Sequence, residues 1–124
     1  MMEFNQPKGI YQQIADQVRE RIAGGEWAVG ERIPSVREMA VTMGVNPNTV
    51  TRSYQTLQDG EIIDNRRGIG YFVAEKARER IMEELKTEFI SEELPRLFRL
   101  MRKLDMGVEE LVSLYEHYQG EDIA

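Results

Sequence analysis

The side chains in this sequence that are best suited to bind a ligand are amides, hydroxyls and guanidinium groups. No Asp or Glu occurs from Met39 to Gln58, yet this stretch contains Asn48, Thr49 and Arg52. Asn and Arg side chains carry the hydrogen-bond donors that read base edges, and Arg and Thr also contact phosphates. The residue types therefore indicate a surface for nucleic acid.

Two further groups of polar residues have a functional and a structural explanation. Arg37 can hold a backbone phosphate or pair with Glu31 or Glu38. The run Arg66, Arg67 and Gly68 is placed to reach a flanking phosphate or minor groove, or it forms an exposed turn that only keeps the chain soluble.

Other kinds of chemistry have few candidate residues. The chain has no cysteine, and its one histidine, His117, follows Glu116 near the C-terminus. Carboxylates do not cluster with it in a pattern typical of a catalytic or metal site. We therefore expect no enzyme activity, no metal and no cofactor.

The net charge of −6 argues, taken alone, against a DNA-binding protein, because DNA association depends on basic groups that displace counterions. The distribution of charge weakens this objection. Acidic residues crowd a later segment, at Glu79, Glu83, Glu84, Glu88, Glu92 and Glu93. Most of the acid is thus expected outside the candidate binding surface.

Three helices are predicted to position the candidate residues. Apolar residues recur every four positions from Ile10 to Ile22, which predicts a first helix ending at Gly24. Ser35 and Glu38 have the spacing of a capping box, and Gly44 suits a left-handed C-terminal cap. Asn46 followed by Pro47 marks the start of a third helix, whose first turn should offer free backbone N–H groups to a phosphate.

The pattern changes after Gly60. Two β-prone runs, Ile62–Ile63 and Tyr71–Val73, flank a basic tip at residues 65–70 and predict a hairpin. Helical spacing returns from Lys76, and Pro95 should kink or divide that helix near residues 92–94. A last helix is predicted from Val108 to Tyr118.

This order of elements is that of a winged helix-turn-helix. We expect a mostly α protein with a small β-hairpin, in which residues 1–75 bind DNA and residues 76–124 form a short two-helix dimerisation tail. The tail has more apolar surface than two short helices can bury between themselves, so a homodimer is expected. The residues assigned to that interface are Leu85, Phe89, Leu97, Phe98, Met101, Leu111 and Leu114.

The sequence also resembles a known family. Residues 10–15, 25–27, 30–38, 44–50 and 66–70 are similar in kind and spacing to the N-terminal domain of GntR-family regulators, and the short tail resembles the YtrA subfamily of small dimeric repressors. The resemblance implies DNA contact by Arg37, Asn46, Asn48, Thr49, Arg52, Arg67 and Gly68. Capping alone would also explain Asn46.

These features predict a transcription regulator, and specifically a repressor, that binds a palindromic operator in double-stranded DNA as a homodimer. The alternative is a winged helix used only for protein–protein interaction. Residues 1–9 lack the features of a signal peptide, and no stretch is apolar enough to span a membrane, so we expect a cytoplasmic protein with no membrane partner. The sequence identifies no small-molecule effector.

Overall fold

The computed structural model describes residues 8–119. Their elements, in chain order, are α1 (Ile10–Ala23), α2 (Val36–Met43), α3 (Pro47–Asp59), β1 (Ile63–Arg66), β2 (Gly70–Val73), α4 (Ala77–Glu88), a π-helical segment (Phe89–Glu93), α5 (Leu94–Lys103) and α6 (Val108–Glu116). They pack as two compact units that divide between Glu84 and Leu85. No helix in this part of the chain is long and apolar enough to cross a bilayer.

The capping signals placed α2 and α3 correctly. The Ser35 hydroxyl accepts a hydrogen bond from the Glu38 backbone N–H at 3.0 Å, and the Glu38 carboxylate accepts one from the Ser35 backbone N–H at 2.8 Å. Gly44 ends α2 in the left-handed conformation, with a φ of 70°. The turn between the two helices is short because Gly44 ends α2 and Asn46 already caps α3 two residues later.

The core of the first unit lies between α1, α3 and the hairpin. Tyr54, Leu57 and Val50 of α3 are fully buried against the apolar side of α1. Ile10 belongs to the predicted stripe of α1, but it is 49% exposed because it lies in the first turn. Trp27 is buried in the loop after α1, as its role as a core anchor requires.

The hairpin differs slightly from the prediction. β1 starts at Ile63 and continues to Arg66, which pairs with Gly70, so the connecting turn is only residues 67–69. Ile62 is buried but precedes the strand, and its carbonyl accepts a hydrogen bond from the backbone of Ala74. An isolated β-bridge between Arg32 and Phe72 ties the loop before α2 to the hairpin.

Where Pro95 predicts a kink or a division, the second unit has a π-helical segment, Phe89–Glu93, within a continuous helix. Pro95 lies in the first turn of α5, where its missing N–H costs no hydrogen bond. The preceding π-helical segment widens the helix by one residue, and the backbone N–H of Leu94 reaches the carbonyl of Phe89. This wider turn accommodates proline without a break in the helix. α6 ends at Glu116, two residues earlier than predicted.

Candidate nucleic-acid interface

The first turn of α3 is held by Asn46. Its side-chain oxygen accepts a hydrogen bond from the Asn48 backbone N–H at 2.7 Å, and its carbonyl accepts from those of Thr49 and Val50. Pro47 has no N–H to offer. The expectation of free backbone donors at this helix end is therefore wrong, because the cap already engages them. A ligand at this end would have to contact side chains.

Asn48 and Arg52 lie on one face of α3, one helical turn apart, and both are exposed. Thr49 is half-buried beside them. Tyr54, Val50 and Leu57 occupy the opposite, buried side of the same helix. The polar face of α3 is thus turned away from the core, as the sequence predicts.

Arg52 has an aromatic neighbour instead of an acidic one. Its guanidinium carbon lies 3.9 Å from the centroid of the Tyr11 ring in α1. Within residues 8–119 it forms no ion pair, so its positive charge is not neutralised by a carboxylate.

Arg37 is exposed in the first turn of α2. Neither carboxylate considered as its partner binds it. Glu38 accepts the backbone N–H of Ser35, which is the main reason that the pKa of Glu38 is lower than usual, and Glu31 accepts the backbone N–H of Ala28 at 2.8 Å. Arg37 therefore does not pair with either acid, and its contact with a phosphate stays a prediction.

The tip of the hairpin presents Arg66 and Arg67. The Arg66 guanidinium carbon lies 4.2 Å from the centroid of the Phe72 ring, and Arg67 is exposed in the turn. The backbone N–H of Ile69 closes the turn on the Arg66 carbonyl at 2.8 Å. Gly68 has a φ of 78°, a conformation that other residues adopt only with strain.

One buried side chain joins the elements that carry these residues. The Tyr54 hydroxyl donates a hydrogen bond to the Pro34 carbonyl at 2.8 Å, and its ring meets the Tyr71 ring edge to face at 4.8 Å. Tyr54 therefore fixes α3 to the segment before α2 and to β2. Burial raises the pKa of Tyr54, which keeps the hydroxyl protonated as a donor.

Four acidic residues of the first unit lie near the other end of α3. Asp59, Glu61, Glu83 and Glu84 line a depression around Arg80, which forms ion pairs with Glu61 and Glu83. Asp59 is eleven residues after Asn48, which corresponds to about 16 Å along a helix axis. The two ends of α3 thus differ in charge.

Two residues that contact the candidate arginines, Tyr11 and Phe72, were not predicted from the sequence. Tyr11 lies outside the apolar stripe of α1, and Phe72 was assigned only to a strand. His117 lies at the end of α6, where its Nδ1 is 2.7 Å from the Ser113 carbonyl, as is typical of a helix C-terminus. The described part of the chain has no group of three or more potential metal ligands.

The chain is similar to known bacterial regulatory proteins. The family model for bacterial regulatory proteins of the gntR family matches residues 10–73. YhcF of Bacillus subtilis, named an uncharacterised HTH-type transcriptional regulator, is 42% identical over 111 residues, which cover 90% of each chain. The HTH-type transcriptional repressor YtrA of the same organism is 39% identical over 71% of this chain and 67% of its own.

A solved structure extends the similarity to the fold. The crystal structure of a GntR-family protein from Bacteroides thetaiotaomicron is 44% identical and has a TM-score of 0.75, covering 87% of this chain and 94% of that one.

The three helices and the basic hairpin form a winged helix-turn-helix DNA-binding domain, and the family and relatives that the chain matches are transcriptional regulators, which are not enzymes. The chain belongs to the GntR family of bacterial regulatory proteins, and its similarity to YtrA makes it a YtrA-like member.

Proposed function

We propose that the protein is a cytoplasmic repressor that binds a two-fold symmetric DNA operator as a homodimer. In this proposal residues 1–75 bind DNA, with α3 in the major groove and the hairpin on the flanking backbone or minor groove. The contacts come from Arg37, Asn48, Thr49 and Arg52, and from Arg66, Arg67 and Gly68 in the hairpin. Asn46 contributes mainly by capping α3.

The proposal rests on the ion pairing of the arginines in the first unit. Arg37, Arg52, Arg66 and Arg67 form no ion pair within residues 8–119, whereas Arg19 and Arg80 in the same unit each contact two carboxylates. Guanidinium groups without acidic partners are free to bind phosphates and guanine edges. On α3 itself, no acidic residue precedes Asp59 at its C-terminal end, so the net charge of −6 does not reflect the charge on its exposed face.

The proposed dimer rests on the second unit. Large apolar side chains there are exposed to about half of their surface, among them Leu85 at 48%, Phe89 at 46% and Leu114 at 55%. Phe98 is 48% exposed, and Leu97 and Leu111 are half-buried. Met101 is only 6% exposed, so it packs inside its own protomer and leaves little surface for a partner. A second copy of the chain would cover the remaining surface.

Selection from a pool of randomised duplexes tests DNA binding directly. We expect the full chain to enrich an inverted repeat with half-site centres about 10–10.5 base pairs apart, because helix-turn-helix dimers place two recognition helices in successive major grooves. Enrichment of no sequence, together with no measurable affinity for any duplex, would support the protein-interaction alternative.

Sedimentation equilibrium tests the dimer. Phe89→Glu places a charge on the proposed interface and should give a monomer. Val41→Glu adds the same charge at a side chain of the first unit that is 79% exposed, and this control should stay dimeric. Substitution is preferable to truncation after Glu75, because Ala77 and Ile81 are part of the core of the first unit. A dimeric Phe89→Glu would contradict the assigned interface.

A further inference from the structure

The Tyr11 ring contacts an arginine assigned to DNA but is not itself one of the assigned DNA contacts. Tyr11 is half-buried in the first turn of α1, forty-one residues before Arg52, and its ring lies directly beneath the Arg52 guanidinium at 3.9 Å. We propose that Tyr11 is a positioning residue that holds Arg52 ready for DNA. This inference rests on the proposed DNA contact of Arg52.

The main chain of Tyr11 is fixed by the residue next to Arg52. Ser53 is fully buried, and its hydroxyl donates to the Tyr11 carbonyl at 2.7 Å, with the Thr49 carbonyl at 3.1 Å as a second acceptor. A buried hydroxyl with good partners resists displacement, because an unpaired one costs free energy. The spacing between the Tyr11 backbone and α3 is therefore set by a bond other than the stack.

An aromatic ring is better suited than a carboxylate to hold Arg52 in place for DNA binding. A carboxylate would hold the guanidinium by accepting its N–H groups and would cancel its charge. The face of a ring attracts the cation through its quadrupole and leaves the N–H donors at the guanidinium edge available. Arg52 then loses less side-chain entropy on binding DNA, because the stack has already restricted its rotamers.

The hairpin repeats the arrangement. Arg66 lies 4.2 Å from the Phe72 ring centroid and, like Arg52, has no carboxylate partner within residues 8–119. By contrast, the Arg19 guanidinium in α1 is held by Asp16 at 3.1 Å and Glu84 at 2.8 Å. In the first unit, an aromatic ring lies against two of the four arginines assigned to DNA; Arg21 also lies 5.2 Å from the Trp27 ring centroid, but it pairs with Glu26 at 3.8 Å.

The stack can be tested first without DNA. Ring currents should move the NMR signals of the Arg52 side chain upfield in the full chain and in Tyr11→Phe, which keeps the ring. In Tyr11→Leu these signals should return to ordinary arginine positions. Unchanged Arg52 shifts in Tyr11→Leu would overturn the proposal. Thermal unfolding of each variant confirms that it is folded.

Affinity for the selected duplex is the second test. We expect Tyr11→Leu to weaken binding about 2- to 5-fold per half-site, and roughly 5- to 30-fold for a two-half-site operator, on the scale of an exposed cation–π contact. Tyr11→Phe should bind like the unmodified chain. In an Arg52→Ala background, Tyr11→Leu should have no further effect.

The other possible results of these binding experiments would contradict the positioning role or the proposed function in different ways. A loss in Tyr11→Phe, or a further loss in the Arg52→Ala background, would show that Tyr11 touches DNA itself and would overturn the positioning role. Tighter binding by Tyr11→Leu would show that the ring sequesters Arg52. If the unmodified chain binds no duplex, the proposed function fails. If it binds and Tyr11→Leu binds equally well, only the positioning role fails.

Discussion

Tyr54→Phe removes one oxygen atom from the center of the first unit and leaves the packing nearly unchanged. The hydroxyl donates to the Pro34 carbonyl at 2.8 Å, and no other donor to that carbonyl is observed among residues 8–119. The ring remains fully buried and keeps its edge-to-face contact with Tyr71. The variant therefore isolates the hydrogen bond between α3 and the segment before α2.

We expect Tyr54→Phe to lower the free energy of unfolding by about 1–2 kcal/mol, because a neutral hydrogen bond is lost and its acceptor is left without a donor. For a unit of this size, the expected fall in Tm is roughly 5–10 °C. Urea unfolding followed by fluorescence measures this directly, since Trp27 is the only tryptophan in the chain and is buried in the core of the first unit.

Tyr11→Phe is the matched control, because no hydrogen bond of the Tyr11 hydroxyl is observed in the described chain. Its unfolding free energy should change by less than about 0.5 kcal/mol. Burial raises the pKa of Tyr54 above the ordinary value of 10.0, so the stabilisation by its hydroxyl should be full below pH 10 and decline at higher pH. Equal effects of the two substitutions at one protein concentration would refute the reasoning.

Three further substitutions test the local geometry by urea unfolding. Asn46→Ala should lower stability by about 0.5–2 kcal/mol through loss of the α3 cap, whereas Asn48→Ala should change it by less than about 0.5 kcal/mol, and equal losses would contradict the assignment. Glu38→Gln should lower stability at pH 7. The pKa of Glu38 in the folded protein is below the ordinary value of 4.5, so the difference in stability should shrink as the pH falls below 4.5. A difference that stays constant with pH would contradict the role of the Glu38 carboxylate. Gly68→Ala should cost about 1–2 kcal/mol through its positive φ, and no change would show that the turn relaxes.

The helix boundaries of the first unit could be predicted because their signals are local. Ser35 with Glu38, Gly44, and Asn46 with Pro47 each fix a helix end through bonds within a few residues. The same locality explains the error about free donors in α3. The cap that marks the start of the helix also uses the N–H groups that the prediction left open.

The contacts of the candidate arginines could not be predicted, because they join distant parts of the chain. Tyr11 meets Arg52 only after α1 and α3 pack, and Phe72 meets Arg66 only in the register that pairs Arg66 with Gly70. The π-helical segment was also not predicted. Pro95 indicates a disturbance, but the sequence does not show whether the helix kinks, breaks or widens.

Salt-dependent affinity for the selected duplex tests the central claim most directly. Arg52→Ala should lose about 1–3 kcal/mol of binding free energy and discriminate less between the selected and a scrambled duplex. Joint replacement of Arg66 and Arg67 by Ala should weaken binding to both duplexes and flatten the salt dependence, because fewer counterions are released. Arg102→Ala, an exposed arginine of α5, should bind like the unmodified chain. Unaltered affinity and specificity of Arg52→Ala across the titration would contradict the claim that α3 reads DNA.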